Sequence, residues 1–409
     1  MYYYIQKSIQ RQKSRSILVI LVNCVLAVLL NLYFGLIGSY QVQLHDLAAN
    51  TPIKCTITNP DGTRELGIAV SSDILRGLQA AEQVRDLDCS VQMKAGYGEF
   101  AIEDWKEHLN LVVSAVNKSD SSVLPEDMGI QYLDGWDETV FTGSERVCVM
   151  RKTEMDKQGY VCGEEFLLTV YYFYYNEKDE LWCGELPPVT VKIVGQIDDS
   201  DPAASYEYPD VLLPFQTAWD LVEENQVDFT ADAVSFYVKD PLALNEFKEE
   251  MGQIGELGLM EIYKGDNVRF SYKGTALYVQ DGTFITMADR LNTAIRILTA
   301  FLLPMGILVF IVGYVISHLL ANGRVKEFAL FRSLGVGAPL AVWAFWCEQF
   351  VLVFIGNVIG CLASLLVNKQ GIWEILTVCG AAFGGYMLGT TVALALLAKE
   401  KPLELLTSE

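Results

Sequence analysis

The chain has 409 residues, of which 51% are hydrophobic, yet its formal net charge is −21. Charge and apolar residues are segregated: residues 40–289 hold 18 Lys+Arg against 45 Asp+Glu, and the rest of the chain holds 12 against 6. This excludes a phosphate-binding nucleic-acid protein and points to a membrane protein with one acidic, water-facing domain of about 250 residues, large enough for its own core.

The basic residues Lys7, Arg11, Lys13 and Arg15 open the chain with no acid among them. Ser16–Gly38 follows, and fifteen of the residues from Ile17 to Ile37 are Leu, Ile, Val or Phe. At about −0.3 to −0.6 kcal/mol each near a span centre, they outweigh polar Asn23 and Asn31. The run is too long for a signal peptide and no small-x-small site follows it, so an uncleaved signal anchor is expected.

Within 39–290 the pattern is mixed α and β. Lys54–Thr58 and Leu66–Val70 read as strands around the turn Asn59-Pro60-Asp61-Gly62. Ser72 is a candidate N-cap for a helix to about Val84, and Cys89–Met93 returns as a strand. A second lobe is expected from Glu145, with strands Arg146–Met150, Phe166–Tyr175, Val189–Ile197, Val211–Leu213 and Ala233–Val238, and with helices after Gln216 and Pro241. Five cysteines fall in this domain (Cys55, Cys89, Cys148, Cys162, Cys183); Cys55–Cys89 and Cys162–Cys183 are conceivable pairs, and spacing alone does not choose. Heptad-like seams at Ile37, Tyr40, Leu44 and Leu47, and at Phe284, Ala288, Leu291, Ile295, Leu298 and Leu302, predict two helices paired as a stalk.

Three more apolar stretches, 291–320, 339–367 and 372–398, are long enough to cross roughly 30 Å of hydrocarbon as helices. Basic residues in the first 15 residues, in the 321–338 loop and in the 399–409 tail all fall on one side of the membrane if there are four spans, which predicts cytoplasmic termini. The expected fold is thus an α+β membrane protein: four transmembrane helices, with one large mixed α/β extracytoplasmic domain inserted between helices 1 and 2.

No phosphate-binding G-x-x-x-x-G-K loop, no G-x-S-x-G and no H-E-x-x-H occurs, and His45, His108 and His318 are scattered. Neither a catalytic nor a metal site is expected. Glu348 lies about nine residues into the third span, roughly 13 Å along a helix. An ionisable group there either makes a polar contact that couples spans or is an interfacial carboxylate hydrated from the cytoplasm. Gly356/Gly360 and Gly380/Gly384 are small-xxx-small pairs suited to close helix contact. Cys24, Cys347, Cys361 and Cys379 read as small core residues of the spans.

The loop between spans two and three reads as a short helix in which Phe328 and Phe331 sit among Arg324, Lys326, Glu327 and Arg332, as a helix docking into a partner's groove would require. Arg324-x-Lys326-Glu327-Phe328-Ala329-Leu330-x-Arg332-x-Leu334-Gly335 resembles the signature of FtsX/MacB-like ABC transporter permeases. The basic entry Arg11-Gln-Lys13-Ser-Arg15-Ser16, Glu348 with Gly356 and Gly360, and the close Lys401-Pro402-Leu403-Glu404-Leu405-Leu406 resemble further parts of that pattern. The resemblance implies a subunit without enzymatic activity or cofactor of its own, working as a dimer (two copies, or a copy and a paralogue) with an ABC ATPase subunit that binds ATP-Mg. In that reading residues 324–334 dock on the ATPase, and movement is passed to the outer domain for export or efflux of a peptide, lipid or drug-like substrate, with an extracytoplasmic adaptor or substrate protein as a further partner. The alternative within the same family is a regulatory subunit controlling a cell-wall hydrolase or sensor kinase.

Overall fold

The computed structural model describes residues 11–99, 108–126, 128–175, 181–199, 208–254, 258–259, 275–324, 327–328, 330–331, 336–367 and 371–399. The chain divides into two compact units, residues 1–47 with 286–409, and residues 48–285.

The second unit is built on strands β1 (Lys54–Thr58), β2 (Val70–Ser71), β3 (Val84–Tyr97), β4 (Leu111–Val116), β5 (Ile130–Tyr132), β6 (Val147–Arg151), β7 (Glu165–Tyr175), β8 (Leu181–Glu185), β9 (Val189–Ile197), β10 (Val211–Pro214), β11 (Thr230–Ala231), β12 (Ala233–Val238), β13 (Gly258–Leu259) and β14 (Ala276–Val279). Twelve of them form one sheet in the order β13-β14-β1-β12-β3-β4-β10-β6-β9-β7-β8, with β5 on β9; β2 and β11 pair separately. The 14-residue β3 explains the shape. Its first half pairs with β12, its second half pairs with β4, and its last four residues, Lys94–Tyr97, also pair with Tyr171–Leu168 of β7. The sheet therefore returns on itself, closing β3-β4-β10-β6-β9-β7 into a ring, as a barrel does. Gly98, at φ 77°, ends β3 in a conformation that favours glycine.

The parallel pairs β4/β10 and β6/β9 lie inside this ring. There β10 is buried at all four positions and β6 at four of five, so each reads as an unbroken apolar run and not as an alternation. The expected division near Glu145 does not exist, because β4 pairs with β10 and β3 with β12 across it. The expected strand Leu66–Val70 shrinks to β2: Gly67 sits at φ 68°, outside any strand conformation. Helix α2 (Ser72–Ala80; α1 is given below) is capped by Ser71, whose hydroxyl accepts from Ile74 N–H, one residue earlier than expected. Three further helices complete this unit: α3 (Lys152–Gln158), α4 (Phe215–Glu224) and α5 (Leu244–Met251).

Cys55 and Cys89 do not pair. Strand β12 lies between β1 and β3, placing Phe236 beside Cys55 and Val234 beside Cys89. Two strand spacings, roughly 9.5 Å, exceed the reach of about 7 Å for a disulfide. Burial pushes the Cys55 thiol up to about 12, with Asp281 adding to the effect, so it is an inert core residue. The side chain of Cys183 lies outside the described residues, and with it the Cys162–Cys183 pair.

In the first unit, α1 (Lys13–Asn50), α6 (Gly282–Ala300) with α7 (Leu302–Asn322), α8 (Ala338–Val367) and α9 (Ile372–Lys399) give four helical stretches long and apolar enough to cross a membrane. The break at Phe301 precedes Pro304, whose ring cannot continue the ladder through the α7 start. Along α1 the seam residue Ile37 is buried and Tyr40, Leu44 and Leu47 are half-buried; along α6 so are Leu291, Ile295 and Leu298. Tyr33 Oη donates to the Leu298 carbonyl, joining the two helices.

Glycine sets the helix contacts. A Cβ on Gly356 would lie 2.5 Å from the Ile20 carbonyl oxygen, and one on Gly360 would lie 2.6 Å from Ala27 Cβ, so α8 packs directly on α1. The small pair expected at Gly380 and Gly384 does not do this: both are exposed, with no neighbouring atom within 4 Å. The close face of α9 is rotated onto Gly385 and Gly389, which meet Val309 and the Phe310–Tyr314 backbone of α7, while Gly313 meets Tyr386.

Candidate functional site

The site lies where the loop after α7 meets the starts of α1 and α8. Gly323 ends α7, its N–H donating to the Leu319 and Ala321 carbonyls. A side chain at this position would collide with the Arg15 guanidinium, 2.5 Å from an ideal Cβ. Glycine thus leaves room for a cation over the carbonyl end of the helix, where the dipole favours it.

The next residue, Arg324, is 8% exposed and turns inward. Its Nη1 donates to Glu348 Oε2 at 2.6 Å, its Nε donates to Gln12 Oε1 at 3.0 Å, and its Cζ stands 5.7 Å from the Phe345 ring centroid. Glu348 is 2% exposed. A hydrated interfacial carboxylate does not fit that burial; the group is an internal ion-pair partner. One guanidinium therefore ties three elements, the N-terminal segment, the α7–α8 loop and α8 itself. Removing one partner of such a pair leaves a buried charge and costs about 3–5 kcal/mol. A cavity of about 20 Å³ adjoins it, lined by Arg15, Ser16, Ser317, Arg324, Glu348 and Gln349, room for one water. Outside it, Arg11 Nη2 lies 3.1 Å from Glu327 Oε1, a solvent-exposed contact worth little.

The two phenylalanines part ways. Phe328 is fully buried, packed with Ala321, Ala341, Phe345 and Leu394 in a cluster that Phe331 and Trp346 border. The expectation that Phe328 faces a partner is corrected: it anchors the loop to this chain's own helices. Phe331 is half-buried, and among the described residues of the loop Leu330 is an exposed apolar one, at 61%. Leu330 stands in the sequence only as one position of the 324–335 signature; two residues from Phe328 on a helical pattern, it falls on the opposite side. Lys326 and Arg332 lie outside the described residues. His318 stacks on Tyr314 with ring centroids 5.7 Å apart and bonds Asn322 at 3.0 Å. Among the described residues no cluster of His, Cys, Asp or Glu could hold a metal ion.

The fold and site define a four-span membrane protein with an inserted α/β domain and a loop locked to its spans by a buried ion pair. No family model matches the sequence, and no curated protein matches it. Among solved structures, the periplasmic region of MacB from Actinobacillus actinomycetemcomitans is similar over 49% of this chain and 81% of its own length, at 10% identity and a TM-score of 0.29. The extracellular domain of the noncanonic ABC-type transporter YknZ from Gram-positive bacteria is similar over 49% and 92%, at 12% identity and a TM-score of 0.28.

Proposed function

We propose that this chain is a permease subunit of an ABC transporter of the FtsX/MacB type, oriented with both termini in the cytoplasm. The observation that carries the reading is the Arg324–Glu348 pair, which makes the loop between the second and third spans mechanically continuous with the bundle. A partner ATPase closing on ATP pushes this loop, and Leu330 is the residue it grips. Because Arg324 also holds Gln12, and Gly356 and Gly360 seat α8 on α1, the push is delivered to α1 and α8 together. Helices α1 and α6 then pass the movement on to the acidic domain, so that no solute channel through this subunit is required. The resemblance of the 324–335 segment and the charge segregation support the same reading.

The test is to extract the protein from its native membrane in mild detergent and identify what accompanies it by mass spectrometry, for wild type and Leu330→Asp. An ABC ATPase with wild type and its loss with Leu330→Asp are expected. A hydrolase or sensor kinase beside the ATPase moves the reading to the regulatory branch, and wild type without any ATPase overturns it.

A further inference from the structure

The sheet of the acidic domain has one buried face that is polar. Along β1, β12 and β3 the alternation is regular, and Cys55, Ile57, Phe236 and Cys89 take one side, each 1% exposed or less. On the other side Thr56 stands beside Ser235, Ser235 beside Asp88, and Ala233 beside Ser90. Thr56, Asp88, Ser90 and Ser235 are all more than nine-tenths buried.

Asp88 is satisfied within the chain. Ser121 Oγ donates to its Oδ1 at 2.6 Å and the Ser122 N–H to its Oδ2 at 2.8 Å, with Lys118 Nζ 3.9 Å away. It thereby fixes the segment around Ser121 as a wall beside the sheet. The hydroxyls of Thr56, Ser90 and Ser235 differ: none of the three makes a hydrogen bond among the described residues. Buried polar groups are ordinarily paired, and these three line a cavity of about 240 Å³.

Lys54 and Ser122 border both this cavity and a second one of about 700 Å³. Together the two chambers fall within the roughly 300–1,000 Å³ of sites that hold small molecules. Glu65 and Asp88 line the smaller chamber; Asp120, Glu126 and Glu138 line the larger. Among the described residues lining either, Lys54 is the one base, and it stands where they meet. Tyr132, in the wall of the larger chamber, reports the field: burial pushes its phenol up to about 12, with Glu138 and Asp137 adding to the effect. The carboxylates are dispersed, and among the described residues no cluster could hold a metal ion. Two acidic chambers joined past a lysine suit a ligand with a cation at each end and an uncharged middle.

We propose that this groove binds a small linear aliphatic diamine. One ammonium donates to the hydroxyls of Thr56, Ser90 and Ser235, and the other lies among Asp120, Glu126 and Glu138. The methylene spacer passes Lys54 along Val123 and Leu124, which line the smaller and the larger chamber. Two residues of strand separate Thr56 from Lys54, about 7 Å, so the spacer must be longer than that. The inference concerns the acidic domain alone and is independent of the transporter reading.

The experiment titrates octamethylenediamine into the full chain in non-ionic detergent by isothermal calorimetry. Saturable binding at one site is expected, at least ten-fold tighter than that of trimethylenediamine, which is as highly charged but too short to bridge the chambers. Thr56→Val keeps the side-chain shape and should weaken binding roughly ten-fold or more, the value of one hydrogen bond to a charged group. Glu126→Gln/Glu138→Gln should weaken it about three-fold or more, and Lys54→Met should tighten it about two-fold or more. Asp156→Asn/Glu246→Gln removes the same charge from exposed positions on α3 and α5 and should change nothing. Thermal unfolding is recorded for each variant; Glu126 and Glu138 are exposed, so their variant keeps the test decisive if Thr56→Val does not fold. Equal affinity for the two diamines, or equal weakening by the two double variants, would show attraction by net charge alone and overturn the proposal. So would unchanged affinity in a folded Thr56→Val chain. Trilysine binding more tightly than octamethylenediamine, and weakening in the same variants, would make the ligand a peptide and overturn the diamine assignment.

Discussion

Breaking the Arg324–Glu348 pair one partner at a time, and then together, tests whether the loop is locked or merely adjacent. At 2.6 Å, with 8% and 2% exposure, the pair is worth several kcal/mol of attraction at an effective dielectric of about 20. Most of this is spent offsetting the removal of two charges from water. Glu348→Gln should leave the guanidinium buried without a counter-charge, and Arg324→Met should do the same to the carboxylate; each costs about 3–5 kcal/mol. The double variant Arg324→Met/Glu348→Gln restores neutrality and should recover most of that loss, so the two single losses together exceed the double's by more than about 3 kcal/mol. In thermal unfolding of the detergent-purified chain followed by tryptophan emission, each single variant should melt roughly 6–12 °C lower, and the double should fall between them and wild type. Additive losses, or single losses below about 1 kcal/mol, would refute an internal pair and return Glu348 to a hydrated carboxylate.

Gly389→Ala and Gly313→Ala should each destabilise the bundle by about 1–3 kcal/mol, since their Cβ atoms would enter the facing backbone, whereas Gly380→Ala and Gly384→Ala should be silent in the same melts. Phe328→Ala should cost about 3–5 kcal/mol because the ring is fully enclosed, while Leu330→Asp should leave the melting temperature unchanged; an equal effect of the two would contradict the opposite faces assigned to them. Burial raises the Asp232 carboxyl above its ordinary 3.8, against a lowering hydrogen bond from Gln92 N–H. Folding therefore favours its protonated form, and its contribution is greatest below pH 3.8 and is lost as pH rises through the folded value. Asp232→Asn should accordingly gain relative to wild type in urea midpoints measured from pH 4 upward, and a relative loss over that range would show the sign to be wrong.

Elements with strong local signals were readable in the sequence. Val189–Ile197 and Ala233–Val238 appear with the bounds expected, because β-branched runs between turn residues carry their own pattern. The ring was not readable, since Lys94–Tyr97 finds Leu168–Tyr171 across more than seventy residues and no local pattern encodes that. The site shows the same division. Arg324 and Glu348 each stood out, one in a motif and one by its depth, but their meeting across 24 residues depends on how the loop folds back. Phe328 and Phe331 look alike in one dimension and differ only once the α8 residues Ala341 and Phe345 close over the first. The glycine pattern of α9 signalled close packing without its rotational phase, which the neighbouring helix sets.

The strand pairing also dictates an order of assembly. Strand β1 lies between β12 and β14, so one of its two neighbours ends only at Val279. At a synthesis rate of about 5–20 residues per second, roughly 10–45 s pass between the emergence of β1 and that of β14. During that interval Lys54–Thr58 shows an unpaired backbone edge. A nascent chain of this design invites pairing with its neighbours on the same polysome. Its yield in cells should therefore depend on how quickly the ribosome clears residues 59–275, and slow codons there are predicted to be more harmful than the same codons after residue 280.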